Sequence, residues 1–134
     1  MIYAVIDTNV FVSAFITNNR QAATTLVFQH LLAGDITPLY NDEILAEYKE
    51  VLSRKKFHLS DETIDDFIGT IKECGIHEDN PPFDEAMPDE DDRVFLEVSL
   101  SREDSFLVTG NLKHYPKMPK VVTPAELIAQ YFSI

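Results

Sequence analysis

Cysteine is nearly absent from this sequence: Cys74 is the single one among 134 residues. That excludes an internal disulfide and fits a reducing cytoplasm. With one thiol and four scattered histidines, a Cys/His zinc site has little to build on. Long apolar runs are missing too. None approaches the roughly 20 residues of a membrane-spanning helix. The apolar start also carries neither the basic leader nor the cleavage site of a signal peptide. A cytoplasmic protein without membrane contact is expected. No internal repeat, low-complexity tract or interdomain linker interrupts the chain, so one domain over residues 1–134 is expected.

Positive charge is the third shortage. Lys and Arg total 11 against 23 Asp and Glu, a net charge of −12. Proteins that hold nucleic acid by electrostatics alone are basic. A chain this acidic handles a phosphodiester only if divalent cations neutralise part of its own charge. Solubility accounts for most of the acids. It does not account for their crowding at Glu78-Asp79 and from Asp84 to Asp92.

What is present reads as alternating strands and helices. IYAVI, residues 2–6, is a short, uninterrupted, β-branched run suited to a buried parallel strand. Residues 21–33 read as a helix ending at Gly34, and Ile36 to Tyr40 as a second strand. NDEILAEYKEVLSRKKF follows as a helix capped by Asn41 or Asp42, with acids in its first turn. Ser60 to Cys74 is a third helix, stopped by Gly75. DNPPFDEAMP is too proline-rich for regular structure. Asp89 or Asp91 caps a helix running to about Arg102. Strands at 106–108 and 120–122 come next, and Thr123-Pro124 opens the final helix. This alternation predicts an α/β fold with a mainly parallel sheet, whose ligands sit outside the carboxyl ends of the strands.

That edge sorts the acids. Asp7 ends the first strand, where it either forms an Asx-turn or offers a carboxylate at the rim. On the helix from Asp42, residues Ile44, Leu45, Tyr48, Val51 and Leu52 share a face. Glu47 lies about 100° from Tyr48, at the border of that face, and is the glutamate best placed to look inward. An exposed side chain beside Arg54 or Lys49 is the plainer alternative for it. Asp89-Glu90-Asp91-Asp92 exceeds what a cap requires. Compensation of the helix dipole, worth about 0.3–1 kcal/mol, covers one or two of these acids rather than four. Thr109-Gly110-Asn111 is either an ordinary turn or two more oxygen-bearing side chains on the same rim. Taken together, these positions offer hard oxygen ligands suited to Mg²⁺ or Mn²⁺, ions that assist attack of water on a phosphodiester.

From AVIDTNVFVSAF through ILAEYKEVLSRKKF and DEDDRVFLEVSL to FLVTGNLKHYP and VVTPAELI, the chain resembles the PIN domain family. The likeness is to its bacterial, VapC-like branch of toxin components from toxin–antitoxin pairs. The resemblance implies a three-layer α/β/α Rossmann-like sandwich around a central sheet of 4–5 strands. It also implies a single-strand-specific ribonuclease using Mg²⁺ or Mn²⁺, a homodimer, and a cognate antitoxin as partner. By position, Asp7, Glu47 and Asp92 match the family's metal-binding acids. Asn9, next to Thr8, matches a residue that orients the first acid, and Thr109 matches a polar residue of the strand-end turn. Asn111 stands where many members carry a fourth acid; its carbonyl can ligate a metal but brings no charge.

Two basic clusters remain. Arg54-Lys55-Lys56 reads as helix C-terminal charge, with guidance of an RNA backbone toward the acids as the alternative. Lys113-His114-Tyr115 with Lys117 and Lys120 reads either as a solvated loop or as an RNA contact, with Tyr115 available for base stacking. Retention of Asp7, Glu47 and Asp92 favours a metal-dependent endoribonuclease. The Asn111 departure keeps open a non-catalytic module that binds RNA or protein.

Overall fold

A computed structural model describes residues 1–132 of the chain; residues 133 and 134 of the expected domain lie outside the described residues. The first strand, β1 (Ile2–Ile6), buries Ala4, Val5 and Ile6 completely. Helix α1 (Thr8–Ile16) follows without a loop. Asp7 stands at its N-cap position yet makes no side-chain cap bond, so its carboxylate is left to face elsewhere. This helix was not expected. Its β-branched, apolar sequence mimics a continuing strand, and packing overrides the weak local preference. Helix α2 (Ala23–Leu32) and strand β2 (Ile36–Tyr40) fall where anticipated.

Helix α3 (Asp42–Leu52) is capped by Asn41, whose side chain accepts from the Ile44 N–H at 2.9 Å. Its buried stripe is Ile44, Leu45, Tyr48 and Leu52. It stops five residues before Phe57, where Lys55–Phe57 forms a separate 3₁₀ turn. Helix α4 (Asp61–Cys74) is capped by Ser60 through the Thr63 N–H and ends at Gly75. A Cβ at Gly75 would stand 2.4 Å from the Pro38 carbonyl oxygen, so only glycine lets the chain pass β2 this closely. The two-residue β3 (Ile76–His77) then adds to the sheet edge. It was not anticipated, because so short a strand carries no periodicity.

The Pro-rich connection is irregular, as expected. Asp89 caps a 3₁₀ turn at Glu90–Asp92 rather than a helix, and α5 (Arg93–Leu100) starts one step later. Strands β4 (Ser105–Val108) and β5 (Val121–Val122) and helix α6 (Pro124–Tyr131) complete the chain. Thr123 and Glu126 form a capping box at the start of α6. Among the described residues, no helix is long and apolar enough to cross a membrane.

The five strands form one all-parallel sheet in the order β3-β2-β1-β4-β5. With helices as the connections, this is the three-layer α/β fold. Strand order reverses at β1, which pairs with β2 on one side and β4 on the other. The crevice outside the carboxyl ends of β1 and β4 is therefore where such a sheet receives a ligand. Beneath it, Phe11 of α1 meets Phe28 of α2, Tyr48 of α3 and Phe67 of α4 edge-on, at 5.7, 5.1 and 4.7 Å between centroids. Three helices thus converge on one ring of α1.

Candidate active site

Asp7 leaves β1 directly into the crevice and is buried. Three donors converge on its Oδ2: the Thr109 hydroxyl at 2.8 Å, the Tyr115 hydroxyl at 3.0 Å and the Asn9 amide at 3.4 Å. Asn9 is held in turn, its Oδ1 accepting from the Gly110 N–H at 3.0 Å. A Cβ on Gly110 would come within 3.2 Å of that same oxygen, so a larger residue in the strand-end turn would press on the Asn9 side chain. Burial pushes the Asp7 carboxyl above its usual range, and the Thr109 and Tyr115 hydroxyls pull against that shift.

Glu47 is half-buried at the border of the α3 stripe. Its Oε2 accepts from the Thr8 hydroxyl at 2.5 Å, so the first turn of α1 fixes the second acid. Burial raises the Glu47 carboxyl; the Thr8 bond lowers it, and the neighbouring charges of Asp7, Asp91 and Glu50 raise it further. Asp92 arrives on the 3₁₀ turn ahead of α5 and is also buried. Burial first, then the charges of Asp7 and Asp89, push its carboxyl up to about 7, against an opposing pull from His114.

These acids line one cleft of about 420 Å³, together with Thr8, Asn9, Asp89 and His114. Among the described residues, Asp92 Oδ2 is the one buried side-chain polar atom without a hydrogen-bond partner. His114 Nδ1 lies 3.0 Å from it but without the direction of a hydrogen bond. A buried carboxylate oxygen lacking a donor, among carboxyls that burial and mutual repulsion hold above their usual range, fits a divalent cation.

Two expectations need correction. Tyr115 is 3% exposed and spends its hydroxyl on Asp7, so it offers no open ring face to a base; what remains exposed only lines the apolar groove beside Leu112 and Pro116. Burial and the adjacent Asp7 push its phenol upward, so it stays a donor. Asn111 does not line the cleft; its Oδ1 accepts from the Lys113 N–H at 3.3 Å and caps the 3₁₀ turn Leu112–His114. Lys113 is exposed and edges a neighbouring groove. Lys120 points away from the rim and binds the carbonyls of Ser99 and Arg102. Sequence reasoning grouped Asp89 with Asp92 in one acidic block and His114 with the basic loop, but missed that His114 joins the two acids. Their meeting depends on two short 3₁₀ turns that leave no periodic trace.

The raised Asp92 pKa has a measurable sign. The native carboxyl titrates near 7 and an unfolded one near 3.8, so between these values the native state binds more protons. Stability of the metal-free protein therefore falls as pH rises through that window and levels off above it. Asp7 and Glu47 act in the same direction. Thermal melts are expected to show a lower Tm at pH 8 than at pH 5, with Mn²⁺ recovering the difference at pH 8. A metal-free Tm that climbs across this range would remove the argument for strained carboxyls.

The fold and the crevice together define a parallel α/β domain with an acidic, oxygen-lined site at its switch point. The family model described as PIN domain matches residues 3–113, and the chain belongs to the PIN domain family. PIN domains are typically metal-dependent nucleases. No curated protein gave a significant match to the sequence.

Proposed function

We propose that this chain is a metal-dependent endoribonuclease cleaving the phosphodiesters of single-stranded RNA, and that it is the toxin component of a toxin–antitoxin pair. The reading includes a single domain over residues 1–134, a cytoplasmic setting, a homodimer and a cognate antitoxin as partner. The observation that carries the nuclease reading is the meeting of Asp7, Glu47 and Asp92 in one cleft around a buried oxygen that lacks a donor.

These three acids would hold Mg²⁺ or Mn²⁺. A bound ion supplies charge neutralisation for the phosphodiester and acidification of water. The protein's own groups set the geometry. Thr109, Tyr115 and Asn9 lock one Asp7 oxygen, and Thr8 locks Glu47, so neither carboxylate reorganises as charge develops. Beside the cleft, Leu112, Pro116 and Met118 line an apolar groove of about 290 Å³ edged by Lys113 and Lys117. A splayed base with its phosphate on the lysines suits such a groove better than stacked duplex does.

The test is cleavage of an end-labelled single-stranded RNA, compared with its duplex form. Mn²⁺ or Mg²⁺ should support cutting, chelation should abolish it, and the duplex should be cut at least about 10-fold more slowly. Binding of the RNA with no cutting under either metal would replace this reading with the non-catalytic binding module.

A further inference from the structure

One oxygen each from Asp89 and Asp92 and one imidazole nitrogen from His114 lie within 4.8 Å of one another at the crevice. An ion pair between His114 and Asp92 accounts for their 3.0 Å approach. It does not account for Asp92 Oδ2 having no hydrogen-bond donor there. Coordination accounts for both facts. With bonds of about 2.1 Å, neighbouring ligands of an octahedral ion stand about 3.0 Å apart, and neither needs to aim a proton at the other. Asn111, meanwhile, turns its oxygen to the Lys113 N–H and stays out of the cleft. His114, at the end of the same 3₁₀ turn, is the side chain that enters it.

Resting on the reading of this crevice as a metal site, we infer that His114 is itself a ligand, completing with Asp92 and Asp89 a mixed nitrogen–oxygen site that prefers a first-row transition ion to Mg²⁺. Imidazole nitrogen discriminates strongly against Mg²⁺, which takes oxygen ligands and water, and favours the transition series in the order Mn²⁺ below Co²⁺. The cleft therefore replaces a charge-based fourth ligand with a selective one. The Asp89 side chain accepts from the Asp91 N–H through Oδ1 and is half-exposed, which leaves Oδ2 to close the remaining distance.

The experiment measures Mn²⁺ and Mg²⁺ binding by calorimetry on the full chain, with pulsed EPR of bound Mn²⁺ reporting nitrogen coupling. Wild type should bind Mn²⁺ at least about 10-fold more tightly than Mg²⁺ and show coupling to an imidazole nitrogen. His114→Ala should lose about 10-fold in Mn²⁺ affinity, change less than about 2-fold for Mg²⁺, and lose the nitrogen signal. His114 is 42% exposed in its side chain, so the variant should melt like wild type. If it does not fold, the nitrogen signal of wild type alone decides. No nitrogen coupling in wild type, unchanged Mn²⁺ affinity in the variant, or equal loss for both ions overturns the inference. RNA cleavage is scored separately. A wild type that binds Mn²⁺ through His114 and cuts nothing sinks the nuclease reading and leaves this one standing. One that cuts RNA but shows no nitrogen ligand does the reverse.

Discussion

Asp7→Asn is expected to slow RNA cleavage by about 10²–10⁴-fold while leaving the Tm unchanged or higher. The substitution keeps the shape and the carbonyl oxygen, so Thr109 and Tyr115 still have an acceptor. It removes a buried negative charge that burial disfavours and that raises the carboxyls of Glu47 and Asp92. Losing that repulsion relaxes the metal-free protein, and losing the charge removes what draws a cation. Activity and stability should thus move apart, the signature of a site that holds strain for function. Single-turnover cleavage and a thermal melt on the same preparation check both halves. Equal cleavage by the Asn variant and wild type would point to a contaminating nuclease. A large fall in Tm would mean the fold needs the charge. Asp7→Ala is a poorer test, because it leaves two buried hydroxyls without an acceptor.

Phe11→Ala should lower stability by about 3–5 kcal/mol, a fall in Tm on the order of 10–20 °C. Phe11 is fully buried and is the ring on which Phe28, Tyr48 and Phe67 converge. Truncation leaves a void bordered by four helices that cannot all move inward together. The same helix carries Thr8, which bonds Glu47, and Asn9, which bonds Asp7. Cleavage should therefore weaken at temperatures well below the new Tm. Phe11→Leu, which keeps most of the volume, should recover more than half of the loss. Urea unfolding gives the stabilities directly. A loss under about 1 kcal/mol for the Ala variant would show that α1 is held by something other than this cluster.

Where sequence spoke clearly, the signal was local. Asn41, Ser60 and Thr123 announce helix starts because a capping side chain bonds its own backbone two or three residues on. The face of α3 follows from apolar spacing, and with it the inward position of Glu47. Helix α1 was hidden because Val10, Phe11, Val12 and Phe15 read as well along a strand as around a helix. Contact with α2, α3 and α4 decides between them. Strand β3 exists only because Leu39 and Tyr40 lie beside it. In the crevice, Asp7, Glu47 and Asp92 could be singled out from strand end, helix face and helix start. The hydroxyl of Tyr115 and the nitrogen of His114 could not. Their directions depend on the short 3₁₀ turn at Leu112–His114, and no repeating pattern encodes its path.

The pairing of β1 with β4, which sets Tyr3 opposite Ser105, also governs when the crevice comes into being. Asp7 meets Thr109 102 positions later in the chain and Tyr115 108 positions later. At a synthesis rate of about 5–20 residues per second, the first acid waits about 5–20 s for the hydroxyls that fix it. Throughout that interval the growing chain lies beside its own messenger with the carboxylates unassembled. Under the proposed ribonuclease function, a chain built in this order leaves its own template intact until its C-terminal strands have emerged.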